Sequence, residues 1–304
     1  WVEHTQLHNT HNFQRHRVRD IQYKYILFCV NMTEFLPKTQ LDHVYDENII
    51  EKVTLRNKTI NYIKNDNCIS QKLKSGSYWE EWMFEYIQQN YIKNTNILDL
   101  GGHIGTTTLL MSEVLSHNCK IFTFEPIYSN ILLKNIVDNN LTNNVVIYPY
   151  GVGNKIENLN IKPINLSDNI NFGAVSIVPN LNDTRRMDMV DRAIAAGEIE
   201  ACDMYHEFVA KHKADYSCKI NIVPVDYFNF ENISLIKIDV EHMEIEVLEG
   251  CLDLIKRCKP SILIETYKLN ELKQTHIFKE LLSLGYEINV IPEGYYDYIM
   301  KINT

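Results

Sequence analysis

Apolar residues recur at helical spacing from Tyr78 onward. Trp79, Trp82, Met83, Tyr86, Ile87 and Tyr91 share one face, which predicts a helix over about 79–92. A strand-then-helix alternation follows. The short apolar run Ile97-Leu98-Asp99-Leu100 predicts a buried strand, and Ile104 to Leu115 reads as a helix. Lys120 to Phe124 predicts the next strand, Ser129 to Asn139 the next helix, and Val145 to Tyr148 a third strand. Such alternation implies βαβ units and a parallel sheet with both faces covered.

The rhythm breaks between about 156 and 220. There, Leu159–Ile161 and Ala174–Val178 suggest a hairpin pair, and Arg185–Lys211 reads as an inserted helix. Alternation resumes with strand Leu235–Asp239, a helix over 244–257, strand Ser261–Glu265 and a helix over 270–283. Two last strands, about 286–291 and 296–302, flank Pro292-Glu293-Gly294. That turn signal predicts an antiparallel pair. Residues 1–75 are weakly periodic, with β-like pieces at Lys52–Leu55 and Thr59–Ile63, and read as an extension of short strands and turns. The expected division is therefore an extension over 1–75 and a main domain over 76–304.

Composition narrows the class. Hydrophobic residues make up 45% of the 304 residues and charged residues 23%, enough apolar material for a core of ordinary density. A net charge of −9 speaks against a nucleic-acid partner, which needs Lys and Arg at the phosphates. The seven cysteines are odd in number and form no CxxC pair, so free thiols in a reducing, cytoplasmic setting are the expectation. Tyr25–Val30, the longest early apolar run, is too short for a membrane span, and no signal peptide is visible. The first residue is Trp1 rather than Met, so a chain lacking its start or a piece of a longer polypeptide is expected. A homo-oligomer is a further expectation.

Candidate chemistry gathers at strand ends, where open α/β sheets bind their ligands. Asp99, Glu125, Asp239 and Glu265 close four strands in succession. Gly101, Gly102 and Gly105 let the first turn bend tightly and let helix and strand pack closely. Leu100 stands where a dinucleotide fingerprint would have its first glycine. Glu125 lies about one strand later, where nucleotide folds place a ribose-binding acid. An acid just before the glycines repels a pyrophosphate but attracts the ammonium of a methionine moiety. Asp99 therefore favours S-adenosylmethionine over NAD.

Six motifs resemble, in order, the FkbM family of S-adenosylmethionine-dependent methyltransferases. They are Tyr78-Trp79-Glu80, Asp99 to Gly105, Phe124-Glu125-Pro126, Asn171 to Ser176, Leu235 to Glu241 and Pro260 to Glu265. The resemblance covers about 75–270 and is most specific at Ile236-Lys237-Ile238-Asp239-Val240-Glu241 with Glu246 to Gly250. It implies a Rossmann-like class I methyltransferase, an α/β fold with a seven-stranded, mostly parallel sheet and an antiparallel last strand. It also implies O-methylation, often of a sugar hydroxyl or a polyketide. Carried over by position, Asp99, Gly101 and Gly105 would line the methionine part, Glu125 the ribose, and Asp239 and Glu241 the transferring methyl. His242 and Gly102 depart from the family pattern of Gly and Ala.

Methyl transfer to a sugar hydroxyl needs alignment and a base or a metal. Asp239, Glu241 and His242 are the nearest candidate bases, and Glu265 could orient the acceptor or share its proton. His242 equally suits a packing position at the start of the next helix. Clustered carboxylates also suit Mg²⁺, held by Asp239 and Glu241, although no metal is the expectation. His103 is expected to serve the cofactor turn through its backbone, Glu80 to reach the cofactor, and Glu244 and Glu246 to form a solvated helix face. Two other readings stay open: an NAD-dependent nucleotide-sugar enzyme, and a non-catalytic module that keeps the fold and binds a glycan or protein.

Overall fold

The computed structural model describes residues 48–161, 163–177 and 218–302. The expected helix over 185–211 and the run Tyr25–Val30 lie outside the described residues.

The described chain begins with a hairpin of β1 (Ile50–Leu55) and β2 (Lys58–Ile63), turning at Arg56 and Asn57, both at positive φ as a tight hairpin requires. Helices α1 (Ile69–Lys74) and α2 (Met83–Asn90) follow. Then come β3 (Asn96–Leu100), α3 (Thr106–Val114), β4 (Ile121–Phe124), α4 (Ser129–Asp138) and β5 (Val145–Tyr148). Three short strands come next: β6 (Gly151–Val152), β7 (Glu157–Ile161) and β8 (Cys218–Val223). A 3₁₀ turn at Val225–Phe228 leads into β9 (Ile233–Ile238), α5 (Glu244–Gly250), α6 (Leu252–Cys258) and β10 (Ser261–Glu265). The last elements are α7 (Leu269–Leu272), α8 (His276–Ser283), β11 (Tyr286–Val290) and β12 (Asp297–Ile302).

Seven strands form one sheet in the order β11-β12-β10-β9-β3-β4-β5. All pairs are parallel except those made by β12, as the alternation and the terminal turn predict. From β3 the chain runs outward through β4 and β5, then returns to β9 on the other side. That reversal makes a crevice outside the carboxyl ends of β3 and β9. Strand β9 is buried at every position, so its polar residues Ser234 and Lys237 need internal partners. The hairpin joins this core through Asn61, whose backbone N–H donates to Asn135 Oδ1 on α4 at 2.6 Å, while Asn135 Nδ2 returns a bond to the Asn61 carbonyl at 2.9 Å.

Four expectations need correction. The helix predicted from residue 79 begins at Met83, because Glu80 sits at φ 48°, a left-handed conformation through which a helix does not run. The helix over 244–257 is two helices meeting at Cys251. Its neighbour over 270–283 is also two, the second capped by the Thr275 hydroxyl accepting from Phe278 N. Finally, Leu159–Ile161 pairs antiparallel with β8, Leu159 opposite Ile220, and Ala174–Ile177 form no strand. Ile220 and Ile222 are buried on one face of β8, opposite Leu159 and Glu157 in this long-range pairing.

Candidate active site

A cavity of about 770 Å³ opens at the crevice. Its size is that of small-molecule sites, roughly 300–1,000 Å³. The ends of β3, β4, β9 and β10 meet there with the loop before α2 and the β11–β12 turn.

The inner part of the site is closed by hydrogen bonds. Asp99 is fully buried at the end of β3, and its Oδ2 accepts from the Thr108 hydroxyl at 2.5 Å. Among the described residues its Oδ1 has no hydrogen bond, and it lies 3.9 Å from Lys237 Nζ. Lys237 projects from the middle of β9. Its ammonium donates to Asp239 Oδ2 at 2.9 Å and to the Gly101 carbonyl at 3.0 Å. Burial disfavours that charge, but Asp239, Asp99 and Glu80 outweigh burial and hold Lys237 above the ordinary lysine value. For Asp99 burial wins over Lys237 and Thr108, and its carboxyl is pushed up.

Glu125 gathers three backbone donors and ties two loops together. Its Oε1 accepts from Ile127 N at 2.6 Å and Tyr128 N at 2.8 Å, and its Oε2 accepts from His103 N at 2.8 Å. Burial raises its pKa while these three donors oppose the rise. The glycine turn it supports is shaped by protein contacts. Gly101 sits at φ 88°, and a Cβ there would run into the Asp239 carbonyl oxygen; one on Gly102 would meet Thr123 Oγ1. Gly105, at φ 94°, precedes α3 and packs on Leu132. The His103 ring stands edge-on to Tyr128 at 4.5 Å, and burial lowers its pKa to about 4, so the imidazole is neutral at pH 7.

The outer part is different. Burial first, then the charge of Asp239, raises Glu80 to about 8 and Glu241 to about 8. The same two causes raise Glu265 to about 7 and Asp297 to about 6. Glu241 and His242 both have positive φ, at 51° and 84°. The Ser176 hydroxyl holds the Glu241 carbonyl at 2.6 Å and Lys268 Nζ holds that of His242 at 3.0 Å, so the strained turn is tied down from two sides. The Tyr267 hydroxyl donates to Glu265 Oε1 at 3.3 Å.

Glu80, Gly101, Gly102, His103, Glu125, Asp239, Glu241 and Glu265 all line the cavity. Asp99, Gly105 and His242 do not belong to the lining; the His242 ring faces Tyr267 at 5.9 Å. Glu244 corrects an expectation: it is buried rather than solvated, accepting from His242 N at 2.6 Å and from the Thr266 hydroxyl at 3.3 Å. Lys237 and Asp297 escaped the sequence reading. Lys237 had a signal, a lone cation inside an otherwise apolar strand, which demands a buried acid. Asp297 had none beyond its place after a turn. Among the described residues, no group of three or more His, Cys, Asp or Glu side chains is placed to hold a metal ion.

Strand order, the antiparallel β12 and the acid-lined crevice together define a Rossmann-like class I methyltransferase fold. A model of the methyltransferase FkbM domain matches residues 99–288, and the chain belongs to that family. No curated protein matches the chain significantly. Among solved structures, the chain is similar to methyltransferase FkbM from Methylobacillus flagellatus KT at 17% identity and TM-score 0.41, covering 68% of this chain and 42% of that one. The chain thus spans less than half the length of that protein. An S-adenosylmethionine-dependent O-methyltransferase from Thermotoga maritima matches at 10% identity and TM-score 0.38, covering 84% of this chain and 78% of that one. An O-methyltransferase from Bacillus cereus, solved with S-adenosylhomocysteine, matches at 12% and 0.33, covering 77% and 96%.

Proposed function

We propose that the chain binds S-adenosylmethionine in this cavity and transfers its methyl group to a hydroxyl oxygen of a carbohydrate. One observation carries the reading: the cavity wall sets five acids, Glu80, Asp239, Glu241, Glu265 and Asp297, near the ammonium of Lys237, and the raised pKa values among them mark a site where added positive charge is favoured. The donor carries an ammonium and a sulfonium, so its charge matches what the wall lacks. Glu125 also fits it. Oε2 accepts a single backbone bond, and a carboxylate oxygen has a second lone pair free for a ribose hydroxyl.

When bound, the sulfonium supplies a methyl group already activated for transfer. This chain's residues then have two tasks: to align the acceptor and to take its proton. Glu241, at about 8, and Glu265, at about 7, suit proton removal near neutral pH. The hydroxyl proton passes to one of these carboxylates and then to water. Burial, and then the charge of Asp239 beside them, keeps both pKa values high, and Lys237 holds Asp239 in place. No metal is required by this sequence of events, and we place the protein in the cytoplasm, where the five described free cysteines stay reduced.

Calorimetry with S-adenosylmethionine and S-adenosylhomocysteine, followed by transfer of labelled methyl to a sugar panel, tests the reading. Binding of both ligands and label on a sugar oxygen are expected. Binding of neither by the intact protein overturns it.

A further inference from the structure

Three tyrosines crowd the cavity mouth with their rings in or toward solvent. Tyr295 is 97% exposed, Tyr267 52% and Tyr296 44%, and all three line the cavity that holds Glu241 and Glu265. Tyr295 is the most exposed large apolar side chain among the described residues. The loops that carry them are locked together. Glu265 pairs with Asp297 across β10 and β12, and Thr266 N donates to the Tyr296 carbonyl at 2.9 Å. The rings of Tyr267 and Tyr296 consequently meet at 4.3 Å between centroids. Exposed aromatic surface beside a cavity marks a binding surface rather than a packing residue.

The polar groups within reach select the occupant. Glu241, Glu265, Glu293 and Asp297 line the same mouth, and their carboxyl oxygens make it rich in hydrogen-bond acceptors. A ligand must therefore bring donors on one side and an apolar face on the other. A negatively charged ligand is disfavoured, since burial and the neighbouring acids already oppose negative charge at Glu241 and Glu265. A pyranose has this form: C–H bonds on the ring face and hydroxyls around the edge. A flat phenol offers the face without the array of donors.

We propose that Tyr267, Tyr295 and Tyr296 form a stacking rim that seats an uncharged pyranose ring of the acceptor, its hydroxyls directed at Glu241 and Glu265, and that this site rejects anionic sugars. The proposal rests on the methyltransferase reading above and names the acceptor class within it. It is tested by saturation-transfer NMR on the full chain with and without S-adenosylhomocysteine. The probes are the methyl glycosides of glucose, mannose, galactose and N-acetylglucosamine, with glucuronate, glucose 6-phosphate and catechol beside them.

At least one neutral glycoside should bind through its ring C–H protons, at least tenfold more tightly than the anionic sugars. Tyr295→Ala should weaken that glycoside about tenfold, the loss of one stacked face, and leave S-adenosylhomocysteine affinity unchanged. Tyr295→Trp should restore binding; because the side chain stands in solvent, neither change threatens folding. Equal binding of the anions, binding of catechol alone, no glycoside signal with S-adenosylhomocysteine bound, or a Tyr295→Ala variant that binds as the parent does would each overturn the proposal and leave the methyltransferase reading standing. Failure to bind S-adenosylhomocysteine at all would overturn both.

Discussion

The two walls of the cavity hold the same kind of side chain in opposite conditions. On the inner wall and the layer behind it, Asp99, Glu125 and Lys237 are almost wholly buried and hydrogen-bonded within the chain, with Asp99 Oδ1 left unbonded. On the outer wall Glu80, Glu241, Glu265 and Asp297 crowd one another around Asp239, with Lys237 too deep to neutralise them all. The inner wall is held mainly by bonds within the chain. On the outer wall burial and mutual repulsion raise the carboxyl pKa values, so the acids hold protons that free carboxyls would have lost. Sites of this kind hold carboxyl groups at raised pKa where chemistry needs them.

The sharpest break between the walls is functional. Replacing both Glu241 and Glu265 by Gln should lower methyl transfer by about 10²–10⁴-fold, the range for loss of a general base, with folding intact. Steady-state rates and a denaturation curve on the same variant check this, and a fall in rate under tenfold would remove the two carboxylates from proton transfer. On the inner wall the corresponding change should strike stability. Lys237→Met strips Asp99 and Asp239 of their partner, and loss of one member of a buried ion pair costs about 3–5 kcal/mol. Urea unfolding measures it.

Glu125→Gln is milder. Its amide can still accept at one oxygen but sets an N–H₂ against a backbone donor, a loss of about 1–3 kcal/mol. The same unfolding experiment should place it clearly below Lys237→Met, and the reverse order would contradict the division between the walls.

The last contrast between the walls is in pH. Glu80, Glu241 and Glu265 titrate at about 8, 8 and 7 when folded, against an ordinary value of 4.5. The folded protein therefore holds more protons than the unfolded chain between these limits, and its stability falls as pH rises from about 4.5 to about 8. Thermal unfolding without ligand should give a higher Tm at pH 5 than at pH 8, with the slope reduced in Glu80→Gln. A Tm that climbs across that window would mean the outer carboxylates are compensated after all.

Much of this was written locally in the chain. Short apolar runs mark β3, β4, β9 and β10 and period-3.6 patterns the helices between them, because a strand covered on both faces is apolar throughout whereas a helix buries one face. Acids at four strand ends and three glycines in one turn placed the crevice, since strand ends in a parallel sheet must open to the same side. The terminal turn predicted the antiparallel β11–β12 pair that the structure shows. Other features depend on residues far apart in sequence. The pairing of β7 with β8, the three backbone donors gathered by Glu125, the burial of Glu244 and the ammonium of Lys237 between Asp99 and Asp239 exist only once the sheet has closed. The tyrosine rim arises the same way, by the pairing of β10 with β12. Sequence patterns determine which face of an element is buried; which charge meets which is decided by the partner that packing brings to it.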